Sequence, residues 1–349
     1  MNALLKHMSL ATAGSVMLTA AYIHFVKGSY VNRSGKVKGR DLMSKKLAKP
    51  SMVFKPSLKP SLNLNPNLSS SKSLSQSHSR SQSRSRRIPD KWEKTEILRG
   101  DPELKKHLPP TQILTESGLR EMLKQCGMVY VKPIRGSQGR GVMKVEMNEA
   151  KAAGRPVRTY AYQLGEKRLT FPVYNTFYRS ILKDAKGKVY LVQKGIQLLK
   201  HKGRPFDIRL VVQRVPRGDW KATATVGRVA HPRKIVTNGS QGGTIYPTAH
   251  LLGSCANATG RLQLLKQMDQ IAVRTAKRLS RVYPGIVELG LDIALDHKLK
   301  PWILEVNNRP DHCPFTLLKD QSMLRRIIRY GKANGKVYRL RCKKAKRGL

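Results

Sequence analysis

"ELGLDIALDHKLKPWILEVNNRP", residues 288–310, reads as two strands around a polar turn. Alternation puts Leu289, Leu291, Ile293 and Leu295 on one face of the first strand and Glu288, Gly290, Asp292, Ala294 and Asp296 on the other. With His297 to Lys300 as the connection, Asp296 pairs with Pro301. An antiparallel register then sets Asp292 opposite Glu305, with Asn307 two residues further along the same face. Opposed side chains lie about 4.5–5.5 Å apart at Cβ, where two carboxylates repel. A hard divalent cation removes the conflict, and Mg2+ suits two carboxylates and an amide oxygen while leaving positions free for phosphate oxygens. Taken alone, the hairpin reads more simply as a solvated polar face with splayed acids; the rest of the chain decides.

With 349 residues the chain can bury one large core or two smaller ones. Its 68 Lys and Arg against 21 Asp and Glu give a net charge of +47, and the first 88 residues hold one acid, Asp41. Such a field favours polyanionic partners, whether nucleic acid, anionic lipid or an acidic polymer, and says little about fold. Cys126, Cys255, Cys313 and Cys342 show no metal-ligand or CxxC spacing, which fits a reducing compartment and structural or incidental roles.

Residues 1–30 contain the apolar run "SLATAGSVMLTAAYIHFV" at 9–26, which sits at the lower limit for a membrane span. Membrane anchor, buried helix and signal peptide all remain open for it. As an anchor it would keep the following bulk in the cytoplasm, because Lys27, Arg33, Lys36, Lys38 and Arg40 come after it. Residues 31–88 form a Ser-, Pro- and Arg-rich basic linker with too few bulky apolar residues for a core. No aromatic residues interleave with its Ser/Arg repeat, so a solvated tether is favoured over sequence-specific nucleic-acid binding. Residues 89–330 read as globular, and 331–349 as a basic C-terminal tail.

Within the globular part, Leu119, Met122, Leu123 and Cys126 share a helical face, with Ser117 near the N-cap and Gly127 past the end. "MVYVKP" follows as a strand. A long helix is predicted over Arg261 to Val282, with Leu262, Leu265, Ile271, Ala272, Thr275 and Leu279 near one stripe. Helices and strands mix without strict alternation, which points to an α+β fold.

Four further pieces carry chemistry. In "MVYVKPIRGSQGRG" Lys132 ends an apolar strand, and Gly136, Gly139 and Gly141 let backbone amides approach an anion; neither a P-loop nor a dinucleotide fingerprint is present. "YLVQKGIQL" ends a strand at Gln193 and Lys194, where exposed backbone can meet a purine edge. In "RPFDIRLVVQ" Asp207 and Arg209 project from one face, and Arg228 in "VGRVA" offers another fork for phosphate. No serine or cysteine triad can be assembled around His312 or Cys313.

Taken in order, "KWEKTEIL", "MVYVKPIRGSQGRG", "RPFDIRLVVQ", "TNGSQGG" and "PWILEVNNRP" resemble the YheC/YheD branch of the ATP-grasp superfamily, proteins associated with bacterial endospore coats. "FDIR" and "KPWILEVN" are also similar to the distant tubulin tyrosine ligases. The resemblance covers about residues 89–330 and implies two α+β subdomains clamping ATP. It places Lys91 and Lys132 on the nucleotide phosphates under a lid running from Gly136 through Ser137 and Gly139 to Gly141. Gln193, Lys194 and Ile196 would meet the adenine, with Asp207 near the ribose. Arg209 and Arg228, with Lys132, would stabilise phosphoryl transfer; Asn238 would approach the active centre, and Asp292, Glu305 and Asn307 match the family's Mg2+ (or Mn2+) ligands. Two departures stand out: Gly290 occupies the place of an arginine found in the D-alanine ligase branch, and "RPDHCPF" lacks a glycine after Pro310.

The activity implied is a MgATP-dependent carboxylate-amine ligase working through an acyl-phosphate, with an acidic peptide or polymer among its candidate substrates and a cytoplasmic or spore-coat location. The alternatives are ATP-dependent phosphoryl transfer to a hydroxyl, a structural coat protein with a residual nucleotide site, and an RNA- or membrane-binding basic protein.

Overall fold

The computed structural model describes residues 89–152, 155–216 and 218–349. The apolar run at 9–26 and the linker at 31–88 lie outside the described residues. Among the described residues no helix is long and apolar enough to cross a membrane.

Two short helices come first: α1 (Lys91–Arg99), capped by the Asp90 carboxylate accepting from the Glu93 amide, and α2 (Pro102–Lys105), capped by Asp101. A first sheet follows, built from β1 (Thr111–Ile113), β2 (Met128–Pro133), β3 (Met143–Ala152), β4 (Arg155–Leu164), β5 (Lys167–Phe171) and β6 (Tyr190–Lys194) in the spatial order β1-β6-β2-β3-β4-β5. Every pairing in it is antiparallel. Helices α3 (Glu116–Cys126) and α4 (Tyr174–Ala185) cover it, joining Leu119, Leu123, Phe177 and Ile181 to Val129, Val131 and Tyr162 in one core. Thr115, rather than Ser117, caps α3, its hydroxyl accepting from the Gly118 amide at 3.0 Å. Gly127, at φ +67°, ends that helix in the left-handed region where glycine is free of Cβ strain.

The second sheet contains β7 (Lys200–His201), β8 (Arg204–Arg214), β9 (Trp220–Val229), β10 (Thr244–Tyr246), β11 (Glu288–Leu295), β12 (Pro301–Asn307) and β13 (Lys346–Arg347). Its order is β12-β11-β8-β9-β10-β13, with β7 paired to β8. The long helix α6 (Ala258–Val282), preceded by short α5 (Thr248–Leu252), packs with Ile208, Leu210 and Val212 of β8; α7 (Ser322–Ala333) packs with Val211, Ala224 and Val226. β8 is therefore buried on both faces, its even residues joining α6 and its odd residues divided between α7 and the charged groups described below. The buried stripe of α6 runs through Leu264, Met268, Ile271, Thr275 and Leu279. Leu262, expected on that stripe, is 69% exposed, because two residues from Leu264 is about 200° of helical rotation. Mixed helix and sheet in this arrangement is an α+β architecture, as the sequence predicts.

The hairpin of β11 and β12 pairs Asp292 with Glu305 and Gly290 with Asn307, but Leu295 rather than Asp296 meets Pro301. A bulge accounts for the difference: pairing passes from Asp292/Glu305 to Ile293/Ile303 and leaves Leu304 without a partner. Strict alternation would put Ile303 and Glu305 on one face. The extra residue lets Ile303 enter the core while Glu305 and Asn307 face the other way. Asp296 organises the turn, accepting from the amides of Lys298 and Lys300 and from the Trp302 indole.

Residues 334–349 form a strap laid on the second sheet, where the sequence suggested a basic tail beginning at 331. Helix α7 runs to Ala333, and Asn334 then donates to the Arg214 carbonyl. Tyr338 fits against Gly331, its hydroxyl donating to Glu288 at 2.6 Å and its ring meeting His312 edge-on. Cys342 is disulfide-bonded to Cys313 with their Cα atoms 5.3 Å apart, and β13 lies parallel to β10. The sequence pattern gave no sign of this pairing, because its partners, 29 residues apart, meet only when the strap folds back. Cys126 and Cys255 are free.

Gly331 lies in the last turn of α7, where alanine is normally stabilising by up to about 1 kcal/mol. Here a Cβ would collide with the Tyr338 ring. Gly331→Ala is therefore expected to destabilise by about 1–3 kcal/mol in urea titrations; a stabilised variant would mean that Tyr338 is not seated there.

Candidate active site

Antiparallel register lays a row of charges across four neighbouring strands. Arg228 of β9 stands opposite Asp207 of β8, Arg209 of β8 opposite Asp292 of β11, and Asp292 opposite Glu305 of β12. Side chains complete what register begins. Arg228 donates its Nε to Asp207 Oδ1 at 2.8 Å and its Nη2 to Asp207 Oδ2 at 2.5 Å, and also reaches Asp292 Oδ2 at 3.0 Å. Arg209 Nε donates to Asp292 Oδ1 at 2.6 Å, and the Thr237 hydroxyl donates to Asp207 Oδ2 at 2.6 Å. Burial alone would raise the Asp292 carboxyl, but Arg209 and Arg228 overcome it and hold the pKa at about 2. Burial likewise works against the Arg228 charge, and Asp207 and Asp292 more than offset it. Gly290 makes room for this array. A Cβ there would lie 2.5 Å from Pro310 Cβ and 3.3 Å from Arg209 Cδ.

Three lysines approach from the other side of Glu305. Lys91, at the start of α1, places Nζ 3.6 Å from Glu305 and donates to the Gly136 carbonyl at 2.8 Å. Lys132, buried at the end of β2, donates to Gln193 Oε1 at 2.7 Å and to the Leu304 carbonyl at 3.0 Å. That carbonyl is available because the bulge leaves Leu304 out of the ladder. Lys94 donates to the carbonyl of Val306. Burial pulls the pKa of Lys94 and of Lys132 down to about 8, against the attraction of Glu305. Lys94 was not singled out from the sequence, although its place three residues after Lys91 puts both ammoniums on one side of α1.

Beside the charge array lies a cleft of about 510 Å3, lined by Arg209, Arg228, Glu305 and Asn307 on one wall and Ser137, Gln138 and Arg140 of the glycine loop on another; Lys91, Lys94 and Lys132 line a small neighbouring pocket of about 30 Å3 that shares Glu305 with it. Gly136, Gly139 and Gly141 all have positive φ. A Cβ on Gly139 would lie 2.8 Å from Asn238 Oδ1, so this glycine lets the loop dock on the "TNGSQGG" segment. Gln241 Nε2 donates to the Gln138 carbonyl at 3.1 Å across the same contact.

A YheC/D like ATP-grasp family profile matches residues 82–333, nearly three quarters of the chain. The chain belongs to the YheC/D-like ATP-grasp family. It is 26% identical over 234 residues to the endospore coat-associated protein YheD of Bacillus subtilis (strain 168), covering 65% of this chain and 49% of YheD. It is 25% identical over 227 residues to YheC of the same organism, covering 64% of this chain and 61% of YheC. The chain thus spans about half to three fifths of the length of these relatives. Among solved structures, it is similar to a carboxyaminoimidazole ribonucleotide synthase from Aspergillus clavatus complexed with ATP, at 12% identity and a TM-score of 0.42, covering 74% of this chain and 55% of that one.

Most residues that the ATP-grasp pattern singles out gather here, and some take a different part. Asp207, expected at the ribose, is 3% exposed and spends its oxygens on Arg228 and Thr237. It orients an arginine. Gln193 is buried, bonded to Lys132 and Thr111, and β6 is paired on both sides, with the Lys194 amide donating to the Pro110 carbonyl. The Gly195 amide is also engaged, donating to the Met128 carbonyl at 3.0 Å, so the free backbone amide expected at Gln193 and Lys194 lies no earlier than buried Ile196. The repulsion between Asp292 and Glu305 is relieved by arginines and lysines as the chain stands. For Mg2+ the donor set is nevertheless suitable. Glu305 and Asn307 offer hard oxygens to the cleft, Asp292 lies opposite Glu305, and the buried Asn307 Nδ2 has no partner holding its amide elsewhere.

Asp207→Asn is expected to cost about 3–5 kcal/mol in stability, since it leaves buried Arg228 short of its fork partner. A second expectation concerns pH. Lys94 and Lys132 have folded pKa values near 8, below the ordinary 10.5, so between those values the unfolded chain binds more protons and stability rises with pH. Urea unfolding from pH 8 to 10 should show this rise, and replacing both lysines by methionine should flatten it.

Proposed function

We propose that the protein is a MgATP-dependent ligase joining a carboxylate to an amine through an acyl-phosphate. One observation carries the reading: the register-built array of Arg228, Asp207, Arg209, Asp292 and Glu305 opens on a cleft whose far wall is a glycine loop tied to Lys91. Lys91, Lys132 and the loop amides would hold the nucleotide phosphates, with Ile196 and its backbone toward the adenine. Mg2+ held by Asp292, Glu305 and Asn307 would neutralise phosphate charge.

In the first step a substrate carboxylate oxygen attacks the γ-phosphorus and ADP leaves. In the second an amine nitrogen attacks the acyl carbon, the bond from that carbon to the phosphate oxygen breaks, and phosphate leaves with the proton given up by the nitrogen. Arg209 and Arg228 present fixed positive charge where the transferring phosphoryl group gains negative charge, and Asp207 keeps Arg228 from turning away. No protein nucleophile is required. We extend to this chain, as part of the same proposal, the endospore-coat association carried by the names of YheC and YheD.

ADP release screened against amino acids, acidic peptides and cell-wall fragments tests the activity. Glu305→Gln is the cleaner variant, because Asp292→Asn also strips Arg209 and Arg228 of a buried partner. Glu305→Gln should lower ATP-dependent product formation by about a hundredfold or more while the variant stays folded by circular dichroism, with some loss of stability because Lys91, Lys94 and Lys132 lose its charge. Normal turnover in this variant would sink the assignment. A stable phosphorylated product in place of an amide would select phosphotransfer.

A further inference from the structure

The strap brings cations to the cleft that the nucleotide reading does not use. Arg341, Lys343 and Lys344 line it beside Arg309 and beside Arg140 of the glycine loop. All five are exposed, and none has an ion-pair partner among the described residues. Arg209 and Arg228, by contrast, are matched to Asp207 and Asp292. Five unmatched positive charges around one opening repel each other, and an unconstrained tail would carry three of them into solvent. The strap prevents that. Tyr338 is seated against Gly331, Cys342 is bonded to Cys313, β13 is paired with β10, and Arg347 donates to the Leu317 carbonyl at 2.9 Å. The strap residues lie past the family match, which ends at 333.

We propose that the strap and Arg309 form a subsite for an acidic peptide, whose side-chain carboxylates rest on Arg309, Arg341, Lys343 and Lys344 while one carboxylate is presented to Arg209 and Arg228. This rests on the ligase reading of the cleft and names its carboxylate substrate. The lining carries seven Arg and Lys side chains against two carboxylates, Glu305 and Asp311, and no aromatic residue is among the described residues that line the cleft. A single-stranded nucleic acid would want such a stacking platform; a polycarboxylate needs only charge and donors.

The test uses the full chain, a fluorescent hexa-L-glutamate probe and a non-hydrolysable MgATP analogue, both followed by equilibrium titration. Arg341→Gln, Lys343→Gln and Lys344→Gln together should weaken the peptide about tenfold, lessen its salt dependence and leave nucleotide affinity within twofold. The charge-preserving set Arg341→Lys, Lys343→Arg and Lys344→Arg should restore binding. A control set on exposed α7 positions, Arg325→Gln, Arg329→Gln and Lys332→Gln, should have little effect. The subsite is overturned if the strap variant binds peptide as tightly as the parent, if nucleotide affinity falls in parallel, or if hexauridylate binds with the same strap dependence. Strap-dependent peptide binding without any nucleotide binding would overturn the ligase reading and leave the subsite standing.

Discussion

Asp292 is the hinge of the charge array. Two guanidiniums hold its carboxylate, one of which is itself held by Asp207, and all of these groups are almost completely removed from water. Buried charges of this kind are tolerable only when each has its partner in place, and here the partners are fixed by strand register. A slip of one residue between β8 and β11 would send Arg209 and Asp292 to opposite faces and drive ionised groups into the apolar layer under α6. Sheet alignment and site assembly are thus one constraint, and Gly290 belongs to it by giving the Arg209 stem and Pro310 room.

Much of this was legible because strands alternate. The opposition of Asp292 and Glu305 follows from counting back from a turn, and the count reaches the right pair although the turn half is displaced by one residue. The bulge that reconciles the two halves left no mark in the sequence, because it depends on which of Ile303, Leu304 and Glu305 the surrounding layers accept. The arginine partners were harder to foresee. Asp207 and Arg228 are 21 residues apart and Arg209 and Asp292 are 83 apart, separations that only the sheet order resolves. The family resemblance accordingly placed Asp207 beside a ligand, and counting along the hairpin brought Asp292 and Glu305 together without revealing the arginines and lysines that stand beside them.

The C-terminal segment shows the opposite failure. Its composition suggests solvated charge, and a run such as "RCKKAKRGL" gives no hydrophobic period from which docking could be read. What fastens it is sparse and long-range: a tyrosine in a space left by a helical glycine, one sulfur pair and a two-residue strand. Each is unremarkable alone. Together they convert an excess of charge into charge at a defined place.

The glycine loop carries a kinetic meaning of its own. It is fastened to the rest of the cleft by the Lys91 bond to Gly136 and the Gln241 bond to Gln138, both exposed to water. Exposed bonds of that type are worth about 0.5–1.5 kcal/mol each, so the pair holds the loop by only a few times thermal energy. Traffic past it would be gated on the fast timescale of loop motion, leaving slower control to whatever happens deeper inside.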